Sequence, residues 1–185
     1  MDTHIKALTE QIAALEAELD AELAKLRADL RVGLEKGKVV FEEEILRRHR
    51  ELRTKLSRYI LNADPLVVLT APVIYSLIFP LLLLDLFVTV YHAVCFPVYG
   101  IAKVRRADYL VFDRHHLGYL NAVEKLNCAF CSYANGLVAY VREIAGRTEQ
   151  YWCPIKHARR VVGANPRYAQ FLDYGDAAAF RATLK

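Results

Sequence analysis

The sequence has no glycine-rich phosphate loop, no nucleophile elbow and no HExxH zinc-protease motif. No motif therefore indicates a nucleotide hydrolase, a hydrolase with a catalytic serine or a zinc protease. An early apolar segment is also missing, because the first sixty residues are highly charged, and we expect no signal peptide. The net charge of +4 is small, and much of the basic excess lies beside an apolar block. Anionic lipid headgroups attract such clusters, so the charge predicts a membrane partner and no nucleic acid.

The chain is rich in both apolar and charged residues, at 55% hydrophobic and 25% charged. The two kinds are separated into blocks instead of being mixed along the chain. Such separation is typical of a membrane-attached protein with polar ends.

Apolar residues recur at steps of three and four in the N-terminal block, which predicts a coiled-coil helix with one stutter. The residues of this seam are Ile5, Leu8, Ile12, Leu15, Leu19, Leu23, Leu26, Leu30 and Leu34. A second helix is expected from about Val39 to Leu61, after a turn at Gly33 to Lys38. Heptads do not fix the partner, so residues 5–34 either pair within the chain or join a second copy or another helical protein.

The stretch from Leu66 to Ala102 is an apolar run, too long for one upright membrane pass and barely long enough for two. Basic residues flank both of its ends, which predicts that both termini lie in the cytoplasm. We therefore expect a membrane-embedded helical hairpin, or a re-entrant helix bent at Pro80, in a bacterial inner membrane. The alternative is a single pass from about Leu66 to Val88 followed by an interfacial helix.

Apart from Cys95 and the tyrosines, the ionisable residues inside this apolar run are Asp85 and His92. A carboxylate in hydrocarbon costs a few kcal/mol, so Asp85 should be at the headgroup layer, neutral or paired. In a hairpin Asp85 is the water-facing tip. Alternatively, Asp85 and His92 lie seven residues apart, near one helical face, and form a proton or ion pair.

Three of the four cysteines lie in the stretch from Asn127 to His157. In a reduced cytoplasm, clustered cysteines more often bind a metal or do redox chemistry than form disulfides. Cys95 lies in the apolar run and is expected to act as a small hydrophobic residue. The stretch resembles, in a general way, helical cysteine motifs of bacterial membrane proteins, which implies nothing about a substrate.

The spacing around these cysteines predicts two helices joined by a turn. The first runs from about Asp113 to Ala134, with His116, Glu124, Cys128 and Cys131 near one face. Asn135-Gly136 supplies the turn because both residues tolerate positive φ. The second helix, from Leu137 to about Ala145, brings Glu143 level with the cysteine pair.

With that turn in place, the chain gathers a Cys₃His ligand set that suits a closed structural zinc site. The predicted ligands are Cys128, Cys131, Cys153 and His157, with Glu143 as the substitute. Iron is the competing metal, held by His116, Glu124, Glu143 and His157, although the repeated Glu-x-x-His pattern of di-iron bundles is absent. A redox dithiol of Cys128 and Cys131 and a plain helical core are further alternatives.

The sequence as a whole predicts an all-α protein with three parts: coiled-coil helices or a helical hairpin over residues 1–62, a membrane-embedded segment over 63–106, and a small helical Cys/His domain over 107–185. The expected function is a membrane-anchored, cytoplasm-facing, zinc-binding scaffold or assembly protein that contacts lipid and forms oligomers. The alternative is a small membrane-bound thiol redox or iron-carboxylate enzyme using Cys128 and Cys131 with Glu124, Glu143 and His116. No particular residue is identified as catalytic.

Overall fold

The computed structural model describes residues 3–29, 32–35, 38–41 and 43–183, and it is mostly helical, in agreement with the predicted all-α class. The helices are α1 (Thr3–Asp29), α2 (Glu43–Glu51), α3 (Leu56–Leu61), α4 (Pro65–Ser76), α5 (Ile78–Tyr99), α6 (Ala122–Trp152) and α7 (Ala177–Thr183). Two short strands, β1 (Val32–Glu35) and β2 (Lys38–Phe41), pair antiparallel. Single 3₁₀ turns cover Arg106–Asp108, Arg114–His116 and Tyr168–Gln170.

The chain divides into two compact units. The first consists of Met1–Tyr59 with Asp113–Ala122, and the second of Ile60–Phe112 with Val123–Lys185. Residues of the expected membrane segment and of the expected Cys/His domain thus belong together in the second unit.

In the first unit, α1 is one unbroken helix of 27 residues. The leucines and isoleucine of its predicted seam from Leu8 to Leu26 all have exposed side chains. Leu30 lies outside the described residues, as do residues 36 and 37 of the expected turn.

A β-hairpin occupies positions where the sequence predicts helix ends on either side of a turn. β-branched and aromatic residues favour extended backbone, and β2 contains Val39, Val40 and Phe41 in succession. The expected single helix from Val39 to Leu61 is wrong for the same reason. Only α2 and α3 lie within it, separated by four residues.

In the second unit, α4 and α5 follow one another with only Leu77 between them, and Leu77 itself has right-handed helical backbone. Asp64 caps α4, since its carboxylate accepts a hydrogen bond from the backbone N–H of Leu66 at 2.8 Å. Gly100 ends α5 with φ at +68°, a conformation that glycine adopts without strain. The interruption at Leu77 lies three residues before Pro80, whose ring would clash with a helical carbonyl four residues earlier.

α5 runs through Asp85 without a reversal. The predicted hairpin with Asp85 at its tip is therefore wrong, because the apolar run contains no turn signal strong enough to end a leucine-rich helix at that point. Among the described residues, Pro65–Tyr99 is the one helical stretch that is long and apolar enough to cross a membrane.

One side of α4–α5 packs on the rest of the second unit. The residues of this side are at least half-buried and recur every three or four positions: Ala71, Tyr75, Ile78, Leu81, Asp85, Val88, His92, Phe96 and Tyr99. They meet α6 in the same order along both helices, since Tyr75 contacts Phe130, His92 contacts Tyr140 and Tyr99 contacts Tyr151. α4–α5 and α6 therefore run in the same direction.

Parallel helices require the connection between them to run back along their length. The segment from Ile101 to Phe112 does so, and it supplies Val104 and Leu110 to the core around Phe96, Leu137 and Ile144. At Gly136 this segment comes so close that an added Cβ would lie 2.6 Å from the carbonyl oxygen of Tyr109.

This close approach explains why residue 136 is a glycine, which the sequence alone assigns to a turn. Asn135 and Gly136 lie inside α6, which continues for 31 residues from Ala122 to Trp152. The expected turn is wrong because Gly136 makes room for a neighbouring backbone and does not reverse the chain. The helix expected from Asp113 is also wrong at its start, since α6 begins nine residues later.

Candidate functional site

The unbroken α6 separates the predicted metal ligands. Cys128 lies in the second turn of α6, and Cys153 follows the last residue of the helix, with its N–H bonded to the carbonyl of Glu149 at 2.8 Å. At 1.5 Å per residue the two cysteines are about 37 Å apart along the axis. The Cys₃His set is therefore not brought together.

Each remaining predicted ligand has a different neighbour. The exposed imidazole of His157 stacks on Tyr168 at 5.9 Å between ring centroids, and the Tyr168 hydroxyl also accepts from the His157 backbone N–H at 2.5 Å. His116 lies in a 3₁₀ turn beside His115, whereas Glu124 lies in the first turn of α6. Within the described part of the chain, no three His, Cys, Asp or Glu side chains are grouped as metal ligands.

Glu143 binds two arginines instead of approaching a cysteine. One of its carboxylate oxygens accepts from Arg147 Nε at 2.8 Å and from Arg167 Nη2 at 2.6 Å. Burial alone would raise the pKa of Glu143, but the hydrogen bonds from Arg167 and Arg147 outweigh burial and leave the pKa below its ordinary value. Glu143 thereby ties the segment around Arg167 to α6.

Cys128 and Cys131 are one helical turn apart, half-buried and exposed respectively. Six residues of α6 precede Cys128, so neither thiol lies in the first turn, where the helix dipole activates thiolates. The redox interpretation stays a prediction, but neither thiol lies at a helix start that would lower its pKa in the usual way of such dithiols.

The polar side chains that the structure does bring together surround Asp85. We call this group of Asp85, Thr89, Arg106 and Tyr133 the Asp85 cluster. Arg106 donates from both terminal nitrogens, one to each carboxylate oxygen of Asp85, with Nη2 at 2.6 Å from Oδ2. Tyr133 Oη donates to Oδ2 at 2.8 Å, and Thr89 Oγ1 lies 3.2 Å from Oδ1.

This arrangement gives both carboxylate oxygens of Asp85 hydrogen-bond partners within a mostly apolar helix. The two parallel N–H donors of a guanidinium match a carboxylate in geometry and in charge. Burial, followed by the hydrogen bond to Asp85, raises the pKa of Tyr133 to about 12, so its hydroxyl remains a donor at neutral pH. The cluster links α5, the segment of residues 101–112 that runs back along it (the returning segment), and α6.

His92 lies seven residues beyond Asp85 and is buried, but it does not pair with Asp85. Its Nε2 accepts from the backbone N–H of Val104 at 2.9 Å, so that nitrogen cannot carry a proton. A neutral ring then has its proton on Nδ1, which lies 3.3 Å from the hydroxyl of Tyr140. Both ring nitrogens are occupied by structural bonds, and His92 is not free to act as a base in this geometry.

Sequence reasoning selected Asp85 and His92 as unusual but missed Arg106, Tyr133 and Tyr140. The Asp85 partners are 21 and 48 positions away in the chain, and nothing local marks them. One signal was available in the sequence. A carboxylate in an apolar helix needs a cation as its partner, and Arg106 lies in the basic stretch that follows this helix.

A separate cleft of about 500 Å³ opens between α4 and α6. The Tyr75 hydroxyl donates to Asn127 Oδ1 at its edge, and its walls are mainly apolar. The lining residues include Val67, Thr70, Ile74, Phe130 and Cys131. Because Val67 and Ile74 are also exposed residues of α4, the cleft continues the apolar surface of that helix.

No family model, curated protein or solved structure matches the chain.

Proposed function

We propose that the protein is a membrane-anchored scaffold that assembles with further copies of itself through α1. The membrane part of the proposal rests on Pro65–Tyr99, whose most apolar 18 residues include none that is fully buried. A core helix of a soluble protein would bury most of such a stretch. Lipid is the natural cover for an apolar surface of this length.

The scaffold part rests on a single observation, which carries the proposal: the seam of α1 is uncovered. Its described seam residues are exposed and recur at coiled-coil spacing: Leu8, Ile12, Leu15, Leu19, Leu23 and Leu26. A helix with such a seam gains most of its stability by packing against another helix. A second α1 offers the same spacing, so we propose another copy of the chain as the partner.

The proposal includes no metal site, because the helix separates the predicted zinc ligands. Both ends of the chain face the cytoplasm in the proposal, as the basic residues on both flanks of the apolar run favour.

Cross-linking tests the proposal. In a variant with the four native cysteines replaced by serine, Leu15→Cys places one thiol on the seam, and Ala17→Cys places one on the exposed face opposite. We expect a short bismaleimide to link Leu15→Cys chains at micromolar concentration and to link Ala17→Cys chains much less. Equal linking of the two variants, or none, contradicts self-association through the seam.

A further inference from the structure

The apolar surface of α4–α5 lies on one side of the second unit. At 100° per residue, the side opposite Asp85 contains residues spaced along the whole helix. They are Leu69, Val73, Leu83, Phe87, Val94 and Val98. Leu69, Phe87 and Val98 are 74%, 70% and 75% exposed, so this side has no cover within the chain.

Charged and polar groups lie along the other side, and the Asp85 cluster is near the middle of the helix. Asp85 is 16 positions from Leu69 and 13 from Val98. An upright, centred helix would place the Asp85–Arg106 ion pair near the middle of the bilayer, where charged groups are most costly. Glu143, Arg147 and Arg167 lie on this same side, on or against α6.

The returning segment gives an independent argument. It lies beside the middle of α5, since Val104 bonds to His92 and Arg106 bonds to Asp85. Its backbone is non-helical apart from one 3₁₀ turn, and the side chains of Lys103 and Arg105 are exposed. Lipid-exposed irregular backbone does not occur within hydrocarbon, because its polar groups have no partner there.

Length adds a third argument. Leu69 and Val98 are about 44 Å apart along a straight helix, whereas a hydrocarbon core is only about 30 Å thick. An upright helix would leave apolar residues at one end in water. A helix lying along the membrane surface buries the whole apolar side to a similar depth.

We propose that α4–α5 lies in the plane of one leaflet, with the Leu69–Val98 side toward the acyl chains and with α6 and the returning segment toward water. This inference rests on the proposed membrane attachment and specifies its geometry. The helix alone is apolar on most sides. Its polar face is supplied by the Asp85 cluster, the returning segment and α6, so the amphipathic unit is tertiary.

Site-directed spin labelling of the full chain tests the geometry. Single cysteines replace Leu69, Leu83 or Val98 in the variant without native cysteines, and each nitroxide is measured in phosphatidylcholine–phosphatidylglycerol vesicles. Accessibility to oxygen and to a water-soluble nickel chelate then gives its depth. We expect all three labels at similar depths, about 5–10 Å into the leaflet.

Ala107→Cys is the matched control, because Ala107 is exposed in the returning segment beside the middle of α5. We expect its label to be accessible to the nickel chelate, as the in-plane geometry requires. A deep label at Leu83 with shallow labels at Leu69 and Val98, or a lipid-protected label at Ala107, overturns the in-plane geometry but retains membrane attachment.

Two other outcomes overturn the inference for different reasons. If all three α4–α5 labels are accessible to the nickel chelate, membrane attachment itself fails, and with it the proposed function. If the labels are shielded from both reagents and broadened by spin–spin interaction, a second copy of the chain covers the face instead of lipid.

Discussion

Asp85 stabilises the second unit through its ion pair. Its side chain is only 15% exposed, and both oxygens accept from Arg106 while one also accepts from Tyr133. Removing one partner of such a pair leaves the other charge partly desolvated without compensation. The cluster thus fixes the returning segment against α5 and α6.

We predict that Asp85→Asn lowers the free energy of unfolding by about 1–2 kcal/mol, since hydrogen bonds to charged groups are worth about 1.5–3 kcal/mol and the Arg106 end of the pair is partly exposed to screening. Thermal unfolding in detergent, followed by circular dichroism, measures the change. Asp108→Asn is the control, because Asp108 pairs with Arg105 at 3.6 Å on the exposed surface. Equal effects of the two substitutions would count against a special role for Asp85.

Glu143 makes the stability of the folded protein depend on pH in the acid range. Its pKa is lowered below the ordinary value of 4.5, because the bonds from Arg167 and Arg147 outweigh the opposing effect of burial. The unfolded chain therefore binds a proton more readily than the folded protein. Ionised Glu143 adds stability that is fully present above about pH 4.5 and is lost as the pH falls through the folded pKa.

We predict that Glu143→Gln destabilises the protein at pH 7, and that the difference from the unsubstituted protein shrinks as the pH falls below 4.5 and through the lowered pKa of folded Glu143. Denaturant unfolding at a series of pH values measures both. Asp173→Asn serves as the control, since the Asp173 side chain pairs with Lys156 but is 82% exposed. A difference for Glu143→Gln that is constant with pH would show that its charge is not what stabilises the fold.

At the scale of elements, the unbroken α6 decides what the cysteines can do. Cys128 and Cys153 are held near opposite ends of one helix of 31 residues. No rearrangement of side chains brings their sulfurs to the roughly 4 Å separation of two thiolates on one zinc ion. Only breaking α6 would assemble the predicted site.

We predict a distance of about 37 Å between Cys128 and Cys153, measured between nitroxides on these two native cysteines after Cys95→Ser and Cys131→Ser. Pulsed dipolar spectroscopy gives this distance, and a variant that also has Cys153→Ser gives the single-label background. A separation below about 15 Å, without zinc or on its addition, would refute the continuous helix and restore the Cys₃His hypothesis.

The elements that sequence periodicity predicts best are those whose pattern is local. The three- and four-residue steps from Leu8 to Leu26 identify α1, and the long apolar run identifies α4–α5. Their partners depend on tertiary contacts, which no local pattern reveals. Periodicity therefore predicts these helices, whereas the predicted membrane hairpin was wrong and the partner of the α1 seam stays a prediction.

Gly136 shows why the candidate site was mispredicted. Asn-Gly favours a turn by its local conformational freedom, yet here the glycine is needed because the Tyr109 backbone passes beside it. That backbone is 27 positions earlier in the chain, so the reason for the glycine is invisible in the surrounding sequence. The zinc ligand set depended on this turn and is separated without it.

At the scale of the whole molecule, the two proposed surfaces belong to different compact units. The α1 seam lies in the first unit and the Leu69–Val98 side in the second. Each surface is formed by exposed side chains outside the hydrophobic core. Because the two surfaces share no residues and belong to separate compact units, we expect changes to one surface to leave the folding and the partner of the other unaffected.

We predict that Leu15→Asp with Leu19→Asp abolishes self-association and leaves the protein on membranes, because charges replace two seam residues of α1. Conversely, Phe87→Asp with Val94→Asp should weaken membrane binding roughly thousandfold, since each substitution removes about 2 kcal/mol of apolar burial. Vesicle flotation and cross-linking of the same samples measure the two properties side by side. If the seam substitutions also released the protein from vesicles, anchoring would depend on assembly, with several weak membrane contacts acting together in one oligomer.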